Sequence, residues 1–291
     1  MNTFEGKEIL VIGGAGFIGS HLVESLMMVG ARVQVVDNYL TGSEKNHIPG
    51  ASYIRCCASE VLEFFGAAHL DYIFHFGEYS RVEQSFVEPE LALANTVSTI
   101  PQVLELWRIT GAKLIYSGSS TKFSANGAGR TLSPYTMGKA INSELIPVYA
   151  EWYKLSYAVV YFYNVYGGRE ISEGKYATVV AKFLKSKRDG ASAVSVVSPG
   201  TQRRNFTHIE DIVSGLVCVA EAGEGDGFGI GSPESYSVMD ICRFLSLNHE
   251  FLPEHPANRS SGPLETDKTS NLGWRAVHRL PDYLERELKK F

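Results

Sequence analysis

Cysteine is scarce: there are four in 291 residues, and two of them, Cys56 and Cys57, are adjacent. That leaves no disulfide framework and fits reduced thiols in a cytoplasmic protein. No Cys/His spacing of the zinc type is present, so no metal is expected. Long apolar runs are missing as well. Ile9-Leu10-Val11-Ile12 is typical, far short of the roughly 18–20 residues a membrane span needs. The stretch from Met1 to Lys7 lacks a basic region leading into an apolar one, so no signal peptide is expected. Charge of one sign is not in excess: 27 basic and 32 acidic side chains leave a net −5, without the basic stripe of a nucleic-acid binder. Glycine (28) and proline (11) show no repeat or low-complexity bias, which excludes collagen-like chains.

The chain does contain enough apolar residues, 44%, to bury a large core, so a disordered chain is excluded. Short β-rich runs alternate with helical patterns through the first half. Strands are expected at Lys7–Gly13, Arg32–Asp37, Tyr53–Cys57, Asp71–Phe76, Lys113–Ser117 and Ala158–Tyr163. Helices are expected at Phe17–Val29, over one long stretch from Glu88 to Thr110, and at Ser133–Tyr153. Such alternation implies parallel pairing through crossovers, an α/β fold with a doubly wound parallel sheet. After Asn164 the pattern loosens into Gly-, Ser- and Arg-rich loops among shorter elements, with no continuous core pattern of its own. The expected organisation is a Rossmann domain over residues 1–165, to which about 205–232 return, and a smaller interleaved C-terminal substrate lobe over most of 166–291.

Gly13, Gly16 and Gly19 follow the first strand and open the first helix, with Phe17 and Ile18 between them. The three glycines serve a tight turn, backbone approach to a pyrophosphate and close helix–strand packing, and the helix N-terminus presents free N–H groups to phosphate. The second strand ends at Asp37-Asn38, where an acidic side chain suits the ribose hydroxyls of a dinucleotide. Asp37 would repel a 2′-phosphate, which favours NAD over NADP. Tyr135 and Lys139 stand at i and i+4, on one helix face. A phenol loses its proton only near pH 10, so a Tyr acting as base near neutrality needs a close cation. Ser117-Gly118-Ser119-Ser120-Thr121 ends a parallel strand, where open α/β sheets place their ligands, and a hydroxyl there can hold a substrate oxygen.

These residues together resemble the extended short-chain dehydrogenase/reductases, most closely the nucleotide-sugar epimerases of the UDP-glucose 4-epimerase type. Further matches are Val36-Asp37-Asn38-Tyr39-Leu40-Thr41-Gly42, Phe74-His75-Phe76, Asn95-Thr96-Val97, Tyr163-Asn164-Val165-Tyr166-Gly167, Gly200–Phe206 and Leu272-Gly273-Trp274. The resemblance implies that Phe76 lies under the nicotinamide and that Tyr135 takes the proton of a sugar hydroxyl. It implies that Lys139 supports Tyr135 and binds the nicotinamide ribose, and that Ser119 bonds the reacting oxygen. Asn164 and Arg204 would then bind the nucleotide diphosphate, with UDP the expected nucleotide. Thr121 resembles the epimerase version of its position; dehydratases of the superfamily carry an Asp-Glu pair there, and decarboxylases a Glu. The implied reaction is a 4-epimerisation through a 4-keto sugar. A net dehydrogenase or reductase stays open, as does a non-catalytic NAD-sensing regulator. A homodimer through the helices near 88–110 and 134–153 is implied by resemblance, and polysaccharide precursor synthesis is the natural setting. Two departures stand out. Glu78 and Arg81 replace small apolar residues, and they either contact substrate or form a surface ion pair. Arg259 stands in for the family's Arg-initiated diphosphate motif.

Overall fold

The computed structural model describes residues 3–123, 129–254 and 262–290. Six strands alternate with helices in the first half: β1 (Glu8–Ile12), β2 (Arg32–Asp37), β3 (Ser52–Arg55), β4 (Tyr72–His75), β5 (Lys113–Ser119) and β6 (Tyr157–Phe162). A seventh strand, Gly225–Ile230, joins them late in the chain. Their order across the sheet is Gly225–Ile230, β6, β5, β4, β1, β2, β3, and every neighbouring pair is parallel. Side chains such as Leu10, Val11, Ile73, Phe74, Leu114 and Ile115 are fully buried, because helices cover both faces of a parallel sheet. One face packs on α1 (Phe17–Met28) and the Ile209–Ala222 helix. The other packs on the Ile100–Thr110 and Pro134–Tyr153 helices. The strand order turns back between β1 and β4, and a crevice opens there beyond the C-terminal ends of the strands.

Two expectations are corrected. The long helix from Glu88 to Thr110 is interrupted: Pro89–Ala94 and Ile100–Thr110 are separate helices. Pro101 cannot donate a hydrogen bond to the carbonyl of residue 97, and its ring would clash there, but it fits the first turn of a new helix. The interruption leaves the Thr96 carbonyl to accept from Asn142 Nδ2 at 3.1 Å. The C-terminal region also has its own core, contrary to its loose pattern. Tyr166, Val180, Phe183, Val196, Phe206, Ile241 and Leu284 meet in one buried cluster, covered in part by a parallel strand pair, Ala193–Val197 with Asn248–Leu252. Each contributing segment is short, so no single window of sequence shows the pattern.

The last segment is stitched to the first core. Trp274 Nε1 donates to the Asp211 carbonyl at 3.1 Å. The Asp211 carboxylate accepts the His278 N–H at 2.9 Å. Among the described residues, no helix is long and apolar enough to cross a membrane.

Candidate active site

The loop after β1 is built by backbone. Gly13 has φ +88°, and a Cβ there would lie 2.6 Å from the Gly77 nitrogen, so only glycine fits between the β1 and β4 loops. A Cβ on Gly19 would lie 2.1 Å from the Gly13 carbonyl oxygen, which is the close helix–strand contact the spacing implied. Helix α1 starts at Gly16 with no side-chain cap and no acid in its first turn, so its N–H groups and dipole are open to an anion. Asp37 closes the other side. Its Oδ2 accepts from the Ala15 N–H at 2.9 Å and its Oδ1 from the Tyr39 N–H at 2.8 Å. Burial raises its pKa while these N–H groups oppose the rise. Each oxygen keeps a lone pair for a ribose hydroxyl. A phosphate cradle with an acidic hydroxyl acceptor beside it fits a dinucleotide.

The Pro134–Tyr153 helix carries the Tyr/Lys pair. Ser133 caps it: Ser133 Oγ accepts from the Thr136 N–H at 3.1 Å, and Thr136 Oγ1 accepts from the Ser133 N–H at 2.9 Å. Pro134 occupies the first turn, where its missing N–H costs nothing. This fixed start aims Tyr135 and Lys139 into the crevice, and both line the same cavity of about 430 Å³.

Of the two alternatives left open for Glu78, the surface ion pair with Arg81 is discarded. Glu78 is completely buried and lies 2.7 Å from Lys139 Nζ. Its Oε2 accepts the Tyr116 O–H at 2.9 Å and its Oε1 accepts from Asn142 Nδ2 at 2.9 Å. His75 Nε2 lies 3.2 Å from Oε1, off the angle of a hydrogen bond. Burial alone would make this carboxyl hard to ionise. The Lys139 ammonium and the His75 ring outweigh it and hold the pKa down to about 2. Lys139 also donates to the Ser117 carbonyl at 2.7 Å and, more weakly, to Ser117 Oγ at 3.3 Å. The signal available in the sequence was an acid two residues after the end of a buried strand.

The cavity continues past Ser119. Ser119 Oγ accepts the Thr121 O–H at 3.0 Å, which leaves its own proton to donate into the cavity. Asn164, at φ +35°, turns the chain after β6, and its Nδ2 donates to the Asn205 carbonyl at 3.1 Å. That bond brings Arg204 to the cavity wall, where burial lowers its pKa and Glu83 opposes the shift. Arg81 reaches the same wall from the β4 side. Its Nε donates to the Tyr176 carbonyl at 2.9 Å and its Nη1 to the Ser80 carbonyl at 3.1 Å. Gly13, Gly16, Phe17, Ile18, Gly19, Asp37, Asn38, Phe76, Arg81, Ser119, Tyr135, Lys139, Asn164 and Arg204 therefore share one cavity. Thr121 sits behind Ser119, and Arg259 lies outside the described residues. Glu170 also lines the cavity and had no place in the sequence reading. Burial pushes its carboxyl up to about 7, against bonds from Thr178 and the Gly167 N–H.

Comparison with known proteins bears on this cavity. A model of the NAD dependent epimerase/dehydratase family matches residues 9–231. UDP-glucuronic acid decarboxylase 1 of Danio rerio is 28% identical over 98% of this chain and 72% of its own length. The dTDP-D-glucose 4,6-dehydratase of Bos taurus is 26% identical over 92% of this chain and 84% of its own. The structure of UDP-glucose 4-epimerase from Thermotoga maritima, solved with UDP-glucose, superposes with a TM-score of 0.89 at 27% identity, covering 97% of this chain and 99% of that one.

Proposed function

We propose that this chain, which belongs to the NAD-dependent epimerase/dehydratase family, is a nucleotide-sugar 4-epimerase acting through a 4-keto sugar. The observation that carries the reading is the composition of the cavity at Ser119. Tyr135, Lys139 and a donor-ready Ser119 line it together, and Thr121, just behind Ser119, stands at the position where the resemblance puts an acidic side chain for elimination or decarboxylation. A dehydration needs both an acid and a base at the sugar, and Ser120 and Thr121 supply neither.

NAD, which the Gly13–Gly19 loop and Asp37 would hold, would supply a reversible hydride acceptor for C4. Tyr135 takes the proton of the 4-hydroxyl and gives it back. Lys139 stabilises the phenolate and offers its weakly held third N–H to the nicotinamide ribose. Ser119 donates to O4 and fixes the sugar ring. Arg204 grips the diphosphate with a bidentate fork, beside Asn164. A one-way dehydrogenase or reductase is the second reading, because the same residues serve a single hydride transfer.

Purification without added cofactor, followed by denaturation and mass spectrometry, separates the two. Release of close to one NAD per chain, and turnover of a UDP-sugar to its 4-epimer with no net NADH, is the expected result. An empty protein that accumulates NADH with substrate would replace the epimerase by a dehydrogenase.

A further inference from the structure

Two cations other than Lys139 line the cavity, Arg204 and Arg81. The proposed function uses Arg204 on the diphosphate and gives Arg81 no task. Arg81 is half-buried, and burial lowers its pKa, so its charge is held at a cost. Its Nε and Nη1 are fastened by neutral groups, the Tyr176 and Ser80 carbonyls and Ser80 Oγ at 3.1 Å. Among the described residues no carboxylate lies within ion-pair distance of it, whereas Lys139 has Glu78 at 2.7 Å.

Glu170 is the acid nearest in effect, but it is already engaged. Its Oε2 accepts the Gly167 N–H at 2.8 Å and its Oε1 the Thr178 O–H at 2.6 Å. The remaining influences on the Arg81 charge are the phenols of Tyr135, Tyr79 and Tyr176. Tyr135, the group placed at C4, lines the same cavity as Arg81, and Arg81 enters it from the loop after β4, apart from Asn164 and Arg204, which are assigned to the diphosphate. A desolvated guanidinium, anchored along one edge and without a counter-ion, is built to receive one.

We propose that Arg81 is the selectivity residue of the sugar subsite and that the substrate is a nucleotide sugar bearing a carboxylate, a hexuronic acid, whose charge pairs with this guanidinium. The proposal rests on the nucleotide-sugar reading above. The substrate carboxylate completes the ion pair that the protein leaves open. A neutral hexose leaves Arg81 desolvated and unpaired, and discrimination comes from that penalty.

Calorimetric titration of the NAD-saturated protein with UDP, UDP-glucose and UDP-glucuronate tests it. The expected result is binding of all three, with UDP-glucuronate about tenfold to a hundredfold tighter than UDP-glucose, the range of a charge-assisted hydrogen bond. Arg81→Gln then brings UDP-glucuronate down to the UDP-glucose level and leaves UDP where it was, and Arg81→Lys keeps part of the preference. Equal affinity of the wild-type protein for the two sugars overturns the proposal without recourse to any variant. Equal weakening of all three ligands by Arg81→Gln also overturns it, because Arg81 would then serve the diphosphate. Failure of UDP itself to bind removes the nucleotide-sugar reading and this proposal with it.

Discussion

The two ends of the cavity are built by different means. At the dinucleotide end the geometry belongs to backbone: Gly13 at φ +88°, the uncapped start of α1, and N–H groups that fasten Asp37. At the sugar end it belongs to side chains drawn from segments far apart in the chain, Glu78 with Lys139, Arg81 with the Tyr176 carbonyl, Asn164 with the Asn205 carbonyl. A backbone-built site tolerates no added atom but asks little of side-chain identity. A side-chain-built site can change its ligand by a single substitution while the fold stays the same. On the proposed function, the first end is where the cofactor is held constant, and the second is where substrate choice is made.

Substitutions on the two sides should separate accordingly. The largest effect is expected for Tyr135→Phe, which removes one oxygen from the sugar end. Turnover should fall by about a hundredfold to ten-thousandfold, the usual contribution of a positioned acid/base, while NAD affinity measured by titration stays close to wild type. Undiminished turnover would end the assignment of Tyr135 as the base.

Next comes Glu78→Ala, which strands the Lys139 ammonium in a buried site. Removing one partner of a buried ion pair costs about 3–5 kcal/mol, visible as a lower denaturant midpoint. Acid sharpens the test. The Glu78 carboxyl is held at about 2, below its ordinary 4.5, so the native state binds fewer protons than the unfolded state between those values. Its stabilisation is complete above about pH 4.5 and is lost as pH falls towards 2. The variant should lack that part of the acid dependence; an identical slope in both proteins would mean that the pair contributes nothing.

The smallest effect on turnover is expected at the dinucleotide end. Gly13→Ala places a methyl against the Gly77 backbone at a positive φ; the conformation alone costs about 1–3 kcal/mol, and the backbone contact adds to it. It should weaken NAD binding more than it slows turnover at saturating NAD. The reverse order would break the division between the two ends.

The same division explains what could be read in the sequence. The glycine spacing, Asp37 at the end of β2, Ser119 at the end of β5 and the i, i+4 pair Tyr135/Lys139 are local patterns, and all of them reach the one cavity. The strand–helix alternation carried the parallel sheet for the same reason. Glu78 was not legible. Gly77-Glu78-Tyr79-Ser80-Arg81 reads equally as a substrate contact or a surface ion pair, and the cation that makes a buried carboxylate tolerable lies on a helix that begins at Pro134. The C-terminal core was hidden by dispersal, since its members run from Tyr166 to Leu284 in short segments. The break before Ile100 was hidden by competition: the apolar periodicity continues through it, and only Pro101 marks the point where the hydrogen-bond ladder cannot.

The seventh strand carries a consequence for biosynthesis. β6 is made more than sixty residues before the strand that covers its outer edge, Gly225–Ile230, and Trp274 seals the helix beside that strand later still. During translation the β6 edge therefore waits, with its hydrogen-bonding groups unpaired, while the substrate-side segments are synthesised. An open edge in a nascent chain is a template for wrong pairing. The order in which the ribosome delivers these segments leaves β6 open to wrong pairing until Gly225–Ile230 is made.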